Sequence, residues 1–527
     1  MNAPTPHYVT TSAGQIRLWQ AGEGENLVVL PGLINAAEAI AGRVARACPG
    51  WRVTVPELPG IGGSSGIDPA DAETCAGALA EALGWMTRPV RAIAGLDLSA
   101  PLAAMLGERL QATSVIGVAT DLAQGWARAG IMPPDFEPRQ DGTHLQALWS
   151  FIRDRHLLTA GNPGQPATAG DVLPDAASLA QTFTAAAVRP DRFAALWNLC
   201  LSLPLPAAIR TTDMANLLGQ LEPAGHPAPQ DVPDPATALP DGRIWHEDIQ
   251  TRRGWMHLRR SGSGGRPVLV IPTGGGSSSQ FAPVVRGLAR DGRQAFSVDY
   301  MGNGLSGKWS ERPTIASLAE DMLALIDAMG IDEIDIWGSH TGALVGLELA
   351  LLAPERVGRL VMEGPVFISA DFQADLLENY FPAIRPDKWG MHIPLVWNWR
   401  RDLFMFWPWY RVEREAARQL GVPDAWQLHD YAIGILESGE TYDGAYRAAF
   451  SYDTRARLPL LTRPALICAG PNDMLKNALD EAGDFSPPGL VEIRETPTTV
   501  WWPDPDPEAA EATMDLYRAF LSGARDG

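Results

Sequence analysis

The sequence predicts an α/β protein of two tandem units, each a mostly parallel sheet with helices on both faces and a helical lid segment. Three observations predict it. Short apolar runs at residues 27–30, 90–94, 268–271 and 334–337 alternate with helical apolar periodicity, the pattern of a parallel sheet covered on both sides. One strand-to-helix junction reads Gly338-Ser339-His340-Thr341-Gly342, with glycines placed so that two backbones can pass closely. Finally, landmarks recur in both halves at matched spacing.

Taken in order, residues 7–22 alternate around a glycine turn and read as a hairpin. A buried strand at 27–30 stops at Pro31-Gly32, and one at 53–55 leads to Glu57, Gly60 and Ser64. Residues 74–87 form an amphipathic helix. The strand 90–94 enters Gly95-Leu96-Asp97-Leu98-Ser99, and 114–118 is the next strand. Periodicity is lost after Thr120, and 175–220 read as helices. Residues 222–241 are Pro-rich, cannot hold a helix or a central strand, and read as a linker.

The second half restarts the programme. A strand at 268–271 ends at Pro272-Thr273-Gly274-Gly275-Gly276, and one at 296–298 enters Asp299-Tyr300-Met301-Gly302-Asn303-Gly304-Leu305-Ser306. A helix at 315–329 precedes His340, and a strand at 359–362 ends at Glu363-Gly364-Pro365. Residues 465–469 lead to Gly470-Pro471-Asn472-Asp473, and a last helix spans about 507–521. The expected domains are 1–221 with a lid at about 121–220, the linker 222–241, and 242–527 with a lid at about 366–455.

Pro31 to Gly60 spans 29 residues and Pro272 to Gly302 spans 30; Gly60 to Asp97 spans 37 and Gly302 to His340 spans 38. Within the lids, Gly142, His144, Trp149, Arg153 and Asp154 match Gly390, His392, Trp397, Arg401 and Asp402. This agreement predicts two fused copies of one unit. The first is degenerate: Ser99 replaces the closing glycine of its turn, and no counterpart of the strand at 465–469 or of Asp473 is visible.

A chain of 527 residues exceeds one ordinary domain of ~100–200 residues. The formal net charge of −20 argues against nucleic acid and against anionic membrane surfaces. Cys48, Cys75, Cys200 and Cys468 lack metal or disulfide spacing, and no glycine pattern fits a dinucleotide loop, so neither metal nor cofactor is expected. The N-terminus lacks a signal-peptide pattern, and no apolar run approaches the ~18 residues of a span. The expectation is a cytoplasmic protein with a small-molecule substrate and no nucleic-acid or membrane partner. The two domains are expected to pack on each other, with homo-oligomerisation open.

On these motifs, residues 242–524 resemble the α/β-hydrolase family, and residues 8–120 resemble it more weakly. The matching positions are the Pro272–Gly275 loop, Asp299-x-x-Gly302-x-Gly304-x-Ser306, the turn at His340 and Gly470-x-x-Asp473. The resemblance implies an oxyanion loop at Gly274 and Gly275, a nucleophile elbow at residue 340 and the family's acid at Asp473. His340 stands where the family carries serine, and Asp97 stands there in the first copy. The family's histidine should lie near 499–502, yet no histidine follows His429, so an ordinary Ser-His-Asp triad is ruled out.

A histidine in that seat is a ready base, with a reference pKa of ~6.5. Asp473 or Glu363 is expected to orient it. The N–H of Thr341, with one from the Gly274-Gly275 loop, would form an oxyanion hole. His392 is a further catalytic candidate, and Ser339 and Trp397 are candidate binding residues. The expected function is cofactor-free chemistry on a moderately apolar ester, thioester or β-dicarbonyl compound, by hydrolysis or lyase-type cleavage, with His340 as base or nucleophile. The alternative is an inactive pseudo-hydrolase that binds or scaffolds.

Overall fold

In the computed structural model, residues 3–156, 174–207, 209–212, 232–239, 242–290, 292–309 and 311–523 are described. They form two compact units: residues 1–237 with 386–391, and residues 238–385 with 392–527. Most of the Pro-rich stretch 222–241 lies outside the described residues.

The first sheet contains β1 (Thr5–Thr11), β2 (Gly14–Ala21), β3 (Glu25–Leu30), β4 (Trp51–Pro56), β5 (Ala92–Leu96), β6 (Ser114–Val118) and β7 (Arg210–Thr212), in the order β1-β2-β4-β3-β5-β6-β7. The second contains β8 (Trp245–Thr251), β9 (Gly254–Ser261), β10 (Gly264–Ile271), β11 (Arg293–Val298), β12 (Ile334–Ser339), β13 (Val357–Glu363), β14 (Ala465–Ala469) and β15 (Val491–Glu495), in the order β8-β9-β11-β10-β12-β13-β14-β15. In each sheet the first two strands form an antiparallel hairpin, the hairpin's second strand pairs antiparallel with its neighbour, and all other pairings are parallel. The order reverses beside β3 and β10, because the strand that follows each of them lies on the hairpin side and the next one crosses to extend the other side.

Two expectations need correction. A counterpart of β14 exists in the first sheet: β7 pairs parallel with β6 through Ile116–Arg210 and Val118–Thr212. Three residues are too few to show a period, so 210–212 were hidden inside a segment expected to be helical. The stretch after Thr120 is also ordered, as helix Thr120–Ala129, which buries Ala123 and Trp126 while its other face stays polar.

The two units repeat each other in detail at the loop after β4 and β11. Glu57 N–H donates to the Arg17 carbonyl at 2.8 Å, and Asp299 N–H to that of His257 at 3.0 Å. Arg17 N–H donates to Ser64 Oγ at 3.0 Å, and His257 N–H to Ser306 Oγ at 2.9 Å. The serine that ends each loop motif therefore ties it back to the hairpin.

In the second sheet, β12 runs between β10 and β13, with Ile271 opposite Gly338 and Ser339 opposite Glu363. This register sets the C-terminal ends of three strands side by side, where open α/β sheets place their ligands. Helix Thr341–Leu352 follows β12 and is buried around its whole circumference over Thr341–Ala350. An all-round apolar helix belongs inside a fold, not on its surface. Between β13 and β14, helices Ala370–Asn379, His392–Met405, Ala425–Ser438 and Gly444–Phe450 form a helical insertion. No described helix is long and apolar enough to cross a membrane.

Candidate functional site

His340 occupies the turn between β12 and helix Thr341–Leu352 with φ 48° and ψ −105°, outside the regions that a side chain with a β-carbon prefers. Residues held in this way persist only where their surroundings over-determine them. Here the flanking glycines do so. A β-carbon on Gly338 would stand 2.3 Å from the Gly342 carbonyl oxygen, and one on Gly342 would stand 2.0 Å from that of Ile271. Strand and helix thus touch backbone to backbone, and the residue between them is pushed over the sheet edge. The His340 N–H donates to the Glu363 carbonyl at 2.8 Å, which fixes the turn to β13.

His340 Nε2 lies 3.0 Å from Asp473 Oδ2 and 3.2 Å from Oδ1. Asp473 sits on the loop after β14, where its Oδ1 also accepts the Leu475 N–H at 2.7 Å. With Nε2–H donated to the carboxylate, the lone pair of the ring resides on Nδ1. Burial pushes the His340 pKa down, but the charge and hydrogen bond of Asp473, with help from Glu363, outweigh this and raise it above the ordinary histidine value. Burial likewise pushes Asp473 up, yet His340, the Leu475 N–H and Arg418 hold it below the usual carboxylate value. Both shifts favour the proton on the imidazole and the charge on the carboxylate.

His340 is only 7% exposed, and what it shows faces a cavity. Tyr380, Phe404, Trp407, Tyr446, Phe450 and Trp502 supply its aromatic walls, and Thr273, Gln280, Thr341, Arg400 and Arg418 its polar ones. Thr273 Oγ1, Thr341 Oγ1 and Gln280 Oε1 are buried without a hydrogen-bond partner. Unsatisfied buried polar atoms are uncommon in folded proteins, and several facing one hollow suit a bound polar group. The loop after β10 runs beside the start of the helix: a β-carbon on Gly274 would meet Thr341 Oγ1 at 2.9 Å. Gly275, at φ 67°, is covered by the Tyr446 ring. Thr273 and Thr341 thus bring the loop after β10 and the start of the helix to the hollow that His340 faces, and the first N–H groups of a helix lack intrahelical acceptors.

The sequence model of the alpha/beta hydrolase fold family matches residues 266–390. A protein of Azorhizobium caulinodans named carbamate hydrolase RutD is 35% identical over 211 residues, covering 40% of this chain and 75% of that protein. The chain belongs to the α/β-hydrolase fold family. A 2-hydroxymuconate semialdehyde hydrolase of Pseudomonas putida is 34% identical over 149 residues, 27% of this chain and 48% of that protein. The structure of an enol-lactonase from Burkholderia xenovorans LB400 overlaps with a TM-score of 0.39 at 19% identity, over 52% of this chain and 99% of that one.

Within this α/β-hydrolase, the other sequence candidates divide. Glu363 does not orient the imidazole. Its carboxylate is turned to the Trp501 Nε1–H at 2.5 Å and the Tyr517 hydroxyl at 2.8 Å, so Asp473 is the carboxylate that meets the ring. Burial first, and the Asp473 charge after it, push Glu363 up to about 7 against its two hydrogen bonds. Ser339 is fully buried on β12, and its unpartnered Oγ is not on the cavity wall. His392 and Trp397 belong to helix His392–Met405 but are buried away from the cavity walls. The stretch expected to carry a second histidine places Trp501 5.8 Å from the His340 ring, edge to face. Arg400, Arg418, Tyr380 and Tyr446 escaped the sequence reading. Arg400 had a signal, since it interrupts an otherwise aromatic and apolar helix face. Arg418 had none.

In the first unit, Asp97 takes the corresponding turn at φ 42°. Its Oδ1 accepts the Leu98 N–H at 2.5 Å and the Leu33 N–H at 3.1 Å. These are the amide after the turn and one from the loop after β3. Gly32 makes room for this, because a β-carbon there would lie 2.1 Å from Asp97 Oδ2. Burial raises the Asp97 carboxyl to about 7, against those two hydrogen bonds.

Proposed function

We propose that this protein is a cofactor-free enzyme that cleaves a moderately apolar, carbonyl-containing small molecule, using His340 as general base. The observation that carries this reading is the Asp473–His340 pair, with Nε2 engaged and Nδ1 left for a ligand in an aromatic cavity. Nδ1 takes a proton from water, or from a carbon next to the substrate carbonyl. Asp473 stabilises the resulting imidazolium. The Thr341 N–H and the Gly274-Gly275 loop hold the oxygen on which negative charge develops. The aromatic walls exclude bulk water and strengthen both interactions. The relatives named as a carbamate hydrolase and a semialdehyde hydrolase support a carbonyl substrate. Water as the attacking group gives hydrolysis, and proton removal from the carbon next to the carbonyl gives an enolate whose electron pair expels a leaving group from the adjacent carbon, a lyase-type cleavage.

Turnover of a panel of aryl esters, thioesters and β-dicarbonyl compounds by the wild type and His340→Ala tests this. A loss of about 10²–10⁴-fold in His340→Ala is expected. Equal rates would sink the catalytic reading and favour a binding protein.

We further infer that the two units are copies of one ancestral unit and that the first is not catalytic. The shared strand order, the matched loop bonds and the two turns at positive φ support the common origin. The Asp97 carboxyl fills the amide pair that would otherwise receive an oxyanion, which supports the second part.

A further inference from the structure

Helix His392–Met405 brings Arg400 to the wall of the cavity that His340 faces. The side chain is 6% exposed. Its Nε has no hydrogen-bond partner, and it forms no ion pair with a carboxylate among the described residues. Its guanidinium lies over the rings of Trp399 and Tyr431, 5.7 Å and 5.1 Å from their centroids. Aromatic faces attract a cation but leave its N–H donors unused. Arg418, on the same cavity, donates to the carbonyls of Leu403 at 2.8 Å and Asn472 at 3.0 Å, and lies over Trp502. It too has only neutral acceptors. In the first unit the position matching Arg400 within the shared Gly-x-His frame is Ile152, which is buried. The charge therefore goes with the unit that carries the His340–Asp473 pair and not with the fold as such.

A buried guanidinium without an anion is unfavourable, and folded proteins rarely keep one unless something charged arrives. The charges on the cavity do not balance. Arg400 and Arg418 contribute two positive charges against one negative charge from Asp473, with His340 neutral as a base. One positive charge remains for the ligand to match. The planar fork of Arg fits a carboxylate in two parallel hydrogen bonds, and a monoanion costs less to desolvate between aromatic walls than a phosphate dianion.

We propose that Arg400, supported by Arg418, binds a carboxylate on the substrate, so that the enzyme acts on a carbonyl compound bearing a separate carboxylate and an apolar or aromatic body. This rests on the reading of the cavity as the substrate site. Arg400 is a specificity-determining residue in this scheme, and His340 does the chemistry.

The test is binding, read through quenching of tryptophan fluorescence, since Trp407, Trp501 and Trp502 line the cavity. Phenylacetate and 3-phenylpropanoate are titrated against their primary amides and against phenyl phosphate. In the wild type and in His340→Ala, the carboxylates should bind about tenfold or more tighter than the amides. Arg400→Gln should lose that preference, and Arg400→Lys should retain part of it. Equal binding of acid and amide by the wild type would overturn the proposal without any variant. So would an undiminished preference in a folded Arg400→Gln, or phenyl phosphate binding tighter than either carboxylate. His340→Ala that binds carboxylate but turns over esters as the wild type does would refute the catalytic reading and leave this one standing.

Discussion

Gly364 leaves no room for a side chain beside His340: a β-carbon there would stand 2.5 Å from His340 Cδ2 and 2.8 Å from Asp473 Oδ2. The glycine follows β13 at φ 58°, and its N–H donates to the Cys468 carbonyl at 2.7 Å, joining the ends of β13 and β14. It is a spacer that lets imidazole and carboxylate meet.

Gly364→Ala should therefore damage activity more than stability. Displacing the pair by a few tenths of an ångström to 1 Å is expected to lower kcat/KM by about 10²-fold. The left-handed conformation adds a stability cost of about 1–2 kcal/mol. Gly330→Ala is the control, since Gly330 has a similar φ of 65° and open space around it. It should show the stability cost in urea denaturation and keep its activity.

The pH profile reports the dyad. Only neutral His340 can accept a proton, and its pKa is raised by Asp473, so kcat/KM should climb with pH through a midpoint above the ordinary histidine value. Asp473→Asn removes the charge that holds the proton on the ring. Its midpoint should move to lower pH while the plateau falls by about tenfold or more, because the ring is no longer oriented. A profile whose midpoint is the same in both proteins would detach Asp473 from the base.

Asp97 makes an opposite prediction. Its folded pKa of about 7 lies above the unfolded value near 3.8, so the folded state holds the proton more tightly. The group's contribution to stability falls as pH rises from about 4 to about 7 and stays low above that. Asp97→Asn keeps an oxygen for the Leu33 and Leu98 N–H groups and tolerates positive φ. At pH 8 the variant should be more stable by on the order of 4 kcal/mol, with the gain vanishing near pH 4. Thermal melts at the two pH values measure this, and turnover should be unchanged.

Glu363 behaves in the same direction for the same leading reason, burial, with the Asp473 charge adding to it. Its carboxylate, up at about 7, is wedged among Trp501, Tyr517 and the neighbouring dyad. Glu363→Gln should raise the melting temperature at pH 8 and have little effect near pH 4.5. Because the Glu363 charge also helps to raise His340, the variant's activity midpoint should shift slightly down. An upward shift would contradict the electrostatic account.

The sequence by itself determined the alternation of strands and helices, the turn at His340 with its two glycines, the matched spacing of the halves, and the lack of any histidine near 499–502. These are local or periodic features, and period, glycine placement and counting survive in one dimension. The tertiary structure alone decided the rest. Asp473, and not Glu363, meets His340, because the β12–β13–β14 register turns the Glu363 side chain toward Trp501 and Tyr517 and brings the loop after β14 over the ring. β7 was invisible because three residues show no period until they pair with β6. Arg400 gained meaning only once folding buried it without a counter-ion, since a charge in a sequence does not reveal what it will face.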